Sequence, residues 1–308
     1  MIGAAYHRAC ARDTGFDSGA QPPLGGEAFP EDRARRRLPL LALHSSASLG
    51  GQWKALSQSL AWERDVLTPD LPGYGTASDS AILMHAANLE TEARWLLAQA
   101  GAGERSFHLV GHSYGAAVAL KLAMLAPQRI RSLTLIEPVL FHLLRQAGGS
   151  GARLERQILG VRDRVRGAVA AGWPAHGMGA FVDFWSGQGA WHRMDLPRRQ
   201  ILARQAKAVL RNFEAVLSEA WLLDDLAPLT FPIQVISGER SPDVTLQISE
   251  LLTNAVGGVR ATRIFGAGHM APVTHTTAVN AAVIYHIERA ENRRLWAAPE
   301  APAGTLVA

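Results

Sequence analysis

A single cysteine, Cys10, occurs among the 308 residues, which excludes an intrachain disulfide and a cysteine-based zinc cluster. Lysine is nearly missing: it stands only at 54, 121 and 207, so the 31 basic residues are mostly arginine. No stretch approaches the roughly 18 consecutive apolar residues of a spanning helix. The longest apolar runs, 38-LPLLAL-43 and 115-GAAVALKLAMLA-126, have the size of a strand and a core helix. The opening residues, MIGAAYHRACARD, lack a charged start followed by an apolar stretch. No secretory signal is expected, and a cytoplasmic location is the default expectation. There is no HExxH, no G-x-G-x-x-G after a strand and no Walker A sequence, so neither a metal nor a nucleotide cofactor is expected.

Charge is modest as well, with a net +4 from 31 basic and 27 acidic residues. Arginines cluster at 33, 35, 36 and 37 and again at 153, 156, 162, 164 and 166. No aromatics interleave them, so they read as solvated faces and not as a nucleic-acid surface. What the chain does have is apolar material: 48% hydrophobic residues, 19% charged, and a mean hydropathy of +0.02. That balance excludes a disordered chain.

Residues 1–37 show little periodicity and read as an irregular segment with one or two weak edge strands. From 38 onward, short apolar runs alternate with helical patterns. The runs are Leu38–His44, Asp65–Pro69, Phe107–Gly111, Leu133–Glu137, Pro232–Ser237 and Ala261–Phe265. This alternation predicts a mostly parallel sheet with helices on both faces. Residues 141–227 interrupt it with a long helical pattern rich in Trp and Phe, which reads as a helical cap. The core then comprises 38–140 and 228–290, and 291–308 is an Ala/Pro-rich tail expected to fray.

The strongest chemical signal is 111-GHSYG-115. The apolar FHLVG runs into it and the apolar AAVALKLAML runs out. That is the strand–turn–helix setting a nucleophile elbow requires, with Ser113 at the sharp turn and glycines where neighbouring backbone must approach. A serine hydroxyl needs a base. Of eleven histidines, His269 is the candidate: it follows the last apolar run through 266-GAG-268 and precedes a C-terminal amphipathic helix. It therefore belongs on a loop at the same sheet edge as Ser113. His44 and His112 read as packing or hydrogen-bonding neighbours of the motifs, and His108 as a core residue.

In this order, 44-HSSAS-48, 69-PDLPGYG-75, 111-GHSYG-115 and 267-AGHM-270 resemble the motifs of cap-bearing α/β-hydrolases of the serine esterase and lipase kind, over roughly residues 38–290. The resemblance implies an α/β-hydrolase sheet with the cap inserted after the strand that the family counts as its sixth, here Leu133–Glu137. It implies cleavage of carboxylic esters through an acyl-enzyme on Ser113, without a cofactor. Lactone hydrolysis, carbon–carbon hydrolysis and haloperoxidase-like chemistry are the alternatives on the same fold. It further implies an oxyanion hole made by the backbone N–H groups of Tyr114 and Ser46, although Ser45 stands where the family usually has glycine.

The triad acid is where the pattern departs. Its usual position holds Ser241, which carries no charge. Glu137, at the carboxyl end of an apolar run where a carboxylate must be paired, is the preferred candidate. Asp243, which also suits a helix N-cap, is the alternative. Phe141, Trp173, Phe181 and Trp185 are candidate lining for a substrate pocket. The expected partner is a small, largely apolar, ester-like molecule, and the sequence leaves a homo-oligomer open.

Overall fold

The computed structural model describes residues 37–84, 87–100 and 105–292. The N-terminal segment through 36 lies outside them, with its expected edge strands and Cys10, as do His85 and the tail from 293. Six strands form one sheet: β1 (Leu40–Leu43), β2 (Val66–Leu67), β3 (Phe107–His112), β4 (Ile130–Ile136), β5 (Ile233–Gly238) and β6 (Arg260–Ile264). Their spatial order is β2-β1-β3-β4-β5-β6, and every neighbouring pair is parallel. All six expected apolar runs become strands. β4 starts at Ile130, ahead of its expected Leu133, because Ile130 pairs with Phe107 at the start of β3.

Parallel strands must be covered on both faces, and the period of two divides the apolar side chains accordingly. Leu41, Leu43, Leu109, Leu133, Leu135 and Val235 point to one core. Leu40, Ala42, Val110, Ile136 and Ile236 point to the other. Helices α1 (Lys54–Leu60) and α10 (Thr276–Glu291) cover the second face through Leu56, Leu60, Val279, Val283 and Ile287. The first face is covered by α2 (Leu89–Gln99), α3 (Tyr114–Leu125) and α9 (Asp243–Ala255). Helix α3 is apolar nearly all round and is buried over most of its length, as its sequence requires.

Between β4 and β5 the chain leaves the sheet. A 3-10 turn, Phe141–Ala147, leads into α4 (Gly148–Ala170), α5 (Pro174–Ser186), α6 (Ala190–Arg193), α7 (Leu196–Arg204) and α8 (Ala206–Leu217). Among the described residues, no helix is long and apolar enough to cross a membrane. Because all strands run the same way, the loops after β1, β3, β4, β5 and the loop after β6 converge on one edge. The strand order reverses between β1 and β3, the kind of switch point at which open α/β sheets leave a crevice.

Candidate active site

Ser113 sits at that switch point, between β3 and α3, with φ 54° and ψ −115°. The two glycines beside it are obligatory. A Cβ on Gly111 would lie 2.3 Å from the Gly115 carbonyl oxygen, and one on Gly115 would lie 2.4 Å from that of His44. Three non-glycine residues among those described have positive φ: Ala47, Ser113 and Glu137. They stand on the loops after β1, β3 and β4, so the backbone strain collects around one point.

The Ser113 Oγ lies 3.0 Å from His269 Nε2, and the His269 Nδ1 lies 3.3 Å from Glu137 Oε2. All three side chains are buried. The other Glu137 oxygen, Oε1, accepts from the Gly238 N–H and the Ser241 hydroxyl, each at 2.5 Å. Burial alone would raise the Glu137 pKa. The hydrogen bond and charge of His269, with the two further donors, outweigh it and hold the carboxyl below its usual range. Asp243 does not reach this site. It is the first residue of α9, its side chain is 73% exposed, and its nearest charged partner is Arg153 at 3.9 Å. Pro242, not Asp243, holds the N-cap position.

The neighbouring histidines act on the loops. The Leu71 N–H donates to His44 Nε2 at 2.8 Å, so the His44 proton is on Nδ1, which donates to the Ser45 carbonyl at 2.7 Å. His112 Nε2 donates to the His269 carbonyl at 2.9 Å and so fixes the loop that carries His269. Burial holds both rings neutral, His44 at a pKa of about 4 and His112 at about 3. The backbone N–H groups of Tyr114 and Ser46 have no acceptor among the described residues, as an oxyanion site requires.

Two cavities meet at Ser113. The larger, about 530 Å³, is lined by Ser113 and His269 together with Phe181, Phe184, Trp185 and Met194 of the insertion. Its lining includes Arg193, Arg198 and Arg240 but no Asp or Glu. The smaller, about 20 Å³, is lined by Ser113, Tyr114, Phe141, Phe213 and Val216 among others. Of the four residues expected to line a pocket, Phe141, Phe181 and Trp185 do so. Trp173 does not: it is 72% exposed, at the N-cap of α5. Pro174 begins that helix, so Trp173 falls before its apolar face, which starts a turn later with Met178 and Val182.

A family profile described as the α/β-hydrolase fold matches residues 39–276, most of the chain. The chain belongs to the α/β-hydrolase family. This α/β-hydrolase is 28% identical over 252 residues to the pimeloyl-[acyl-carrier protein] methyl ester esterase of Methylococcus capsulatus, a match covering 77% of the chain and 89% of the relative. It is also 33% identical over 99 residues to the lipase LipV of Mycobacterium tuberculosis. That match covers 32% of the chain and 36% of LipV, and the chain spans only 26–36% of the three curated relatives with the strongest short matches. Among solved structures, a thermophilic esterase from Thermogutta terrifontis superposes with a TM-score of 0.61 at 21% identity, covering 83% of this chain and 91% of that one.

Three features of this hydrolase escape its motifs. Trp185 of α5 stacks on the His269 ring, centroids 4.1 Å apart and planes 28° from parallel. Asn212 of α8 accepts at Oδ1 from both the Ser46 hydroxyl, at 2.8 Å, and the Tyr74 hydroxyl, at 2.5 Å. The insertion is thereby tied to the loop after β1. Beneath it, the fully buried Glu92 of α2 faces the Tyr114 hydroxyl, and burial lifts its pKa to about 7 against the pull of Tyr114 and Arg211. Nothing in the local sequence around 92, 185 or 212 marks these contacts, since each joins elements far apart in the chain.

Proposed function

We propose that the protein is a serine hydrolase of carboxylic esters, with residues 141–227 acting as a cap over the site. The observation that carries this reading is the chain of contacts from Ser113 Oγ to His269 Nε2, 3.0 Å, and from His269 Nδ1 to Glu137 Oε2, 3.3 Å. The Ser113 Oγ attacks the ester carbonyl carbon and passes its proton to His269 Nε2, and the carbonyl oxygen becomes an oxyanion held by the Tyr114 and Ser46 N–H groups. The carbon–oxygen bond to the alcohol breaks, and the departing oxygen takes the proton from His269. Water then attacks the acyl-enzyme, delivering a proton to His269, and Ser113 leaves with that proton restored. Glu137 orients the imidazole and stabilises its charged form throughout.

The esterase and lipase names of the two relatives support ester hydrolysis, and the mainly apolar lining of the larger cavity suits a small, largely apolar substrate. The test is covalent labelling with a fluorophosphonate followed by peptide mass spectrometry. The adduct is expected on Ser113, with labelling and p-nitrophenyl acetate turnover both lost in Ser113→Ala. Turnover that survives this substitution would sink the reading.

A further inference from the structure

The two cavities at Ser113 are unequal, and the chemistry of the acylation half-reaction assigns them. When the tetrahedral adduct collapses, the departing alkoxide oxygen must receive the proton held on His269 Nε2. The alcohol part of the ester therefore lies on the His269 side of Ser113. His269, Met270, Thr274 and His275 all line the larger cavity, and none of them lines the smaller. The smaller cavity, lined by Ser46, Tyr114, Phe141, Phe213 and Val216 and sharing only Ser46, Ser113, Phe181 and Trp185 with the larger, is left to the acyl substituent.

Resting on the serine-hydrolase reading, we propose that this enzyme acts on esters of a very short acid, acetyl in size, with a bulky and mostly apolar alcohol. The acyl-side cavity of about 20 Å³ is close to the least space that holds one water molecule, roughly 10–15 Å³. A methyl group fits there. A longer chain meets packed rings: Phe141 stacks on Trp185 and on Phe213, with centroids 6.4 and 6.1 Å apart, and Val216 is 1% exposed. Such interiors resist added methylenes. The alcohol side, at about 530 Å³, is of the size that encloses a whole small-molecule ligand, roughly 300–1,000 Å³.

Hexyl acetate and methyl heptanoate are isomers with the same carbon count and alcohols of similar basicity, so they isolate the division of the site. Proton release with purified protein is expected to give kcat/KM for hexyl acetate about 10-fold to 100-fold above that for methyl heptanoate, the span that overpacking by one or more methylenes produces. Val216→Ala widens the acyl side and is expected to raise p-nitrophenyl butyrate turnover relative to acetate. Equal rates for the isomers, a preference for methyl heptanoate, or an unmoved butyrate-to-acetate ratio in a folded Val216→Ala would overturn the division while Ser113 still takes a fluorophosphonate. No adduct and no turnover of either ester would remove the hydrolase reading and the division together.

Discussion

The Ser241 hydroxyl donates to Glu137 Oε1. The residue at the family's usual acid position thus supports a carboxylate that reaches His269 from the end of the neighbouring strand. Glu137 leaves β4 with φ 51°, a turn that aims its side chain across to His269 and the loop after β5. All of the carboxylate's partners are fixed donors: Gly238 N–H and Ser241 on one oxygen, His269 on the other.

Removing that charge should therefore cost the reaction and spare binding. Glu137→Gln is expected to lower kcat by roughly 10⁴-fold, the scale set by triad carboxylates elsewhere, with KM little changed. Asp243→Asn should leave kcat where it is, since that side chain is 73% exposed. Ser241→Ala removes one hydrogen bond to a buried charge, worth about 1.5–3 kcal/mol, and should fall between the two. Steady-state kinetics on the three variants decide the matter, and a large loss in Asp243→Asn with none in Glu137→Gln would reverse the assignment.

How much of this was legible beforehand follows from sequence distance. The sheet, α3 and the turn at Ser113 were readable because each depends on neighbours within a few residues: apolar runs, and two glycines that backbone crowding makes compulsory. His269 was readable because it follows the last strand of a parallel sheet and so had to reach the same edge. The partners of Glu137 were not, because Gly238 and Ser241 come from a strand end and the loop after it, a hundred residues away. The insertion was the least legible part. Its aromatics are evenly mixed in sequence, and only the helix boundary at Pro174 separates the exposed Trp173 from the buried Trp185.

Trp185 covers the His269 ring at 4.1 Å, and an indole face favours a cation by about 0.5–2 kcal/mol. In the proposed mechanism the imidazolium gains from this, and the neutral ground state does not. Trp185→Ala is expected to lower kcat about 10-fold, with Trp185→Phe recovering most of the loss. Because Trp185 also lines the larger cavity, the alanine variant should raise KM as well. A change confined to KM would argue against the imidazolium role.

Buried neutral histidines set the acid limit of stability. Desolvation lowers His44, His142 and His286 to about 4 and His112 to about 3, from an ordinary 6.5. Once unfolded, each takes up a proton near pH 6.5 that the folded form refuses. Below that pH the unfolded state binds more protons, and stability falls by up to about 1.4 kcal/mol per group for each pH unit. The melting temperature should drop steadily from pH 6.5 towards pH 4. A flat thermal scan across that interval would contradict the burial of these rings as neutral species.

Glu92 acts with the opposite sign. Its folded pKa of about 7 stands above the ordinary 4.5, so the folded state holds the proton that the unfolded state gives up between those values. Stability is lost as pH rises through that window, by about 3 kcal/mol at about 1.4 kcal/mol for each tenfold change in proton affinity. Glu92→Gln removes the ionisation. It should melt several degrees above the parent at pH 8 and at nearly the same temperature at pH 4.5. A gain that is equal at both pH values would point to packing and not to the buried charge.

Arg240 bears on the alcohol side proposed for the larger cavity. It lies in the loop between β5 and α9, lines the larger cavity, is exposed, and has no side-chain partner among the described residues. With Arg193 and Arg198 beside the same cavity and no carboxylate in its lining, an alcohol bearing a carboxylate should bind better than its neutral methyl ester. Exposed pairs of this kind contribute about 0.2–1 kcal/mol, so Arg240→Ala should raise KM for an acetate ester with an anionic alcohol about 2-fold to 5-fold. The neutral counterpart should be unaffected. Salt supplies the control: at about 1 M the screening length falls to roughly 3 Å, and the difference between parent and variant should shrink with it. A KM change of equal size for both esters, insensitive to salt, would mean that Arg240 shapes the cavity wall and does not read charge.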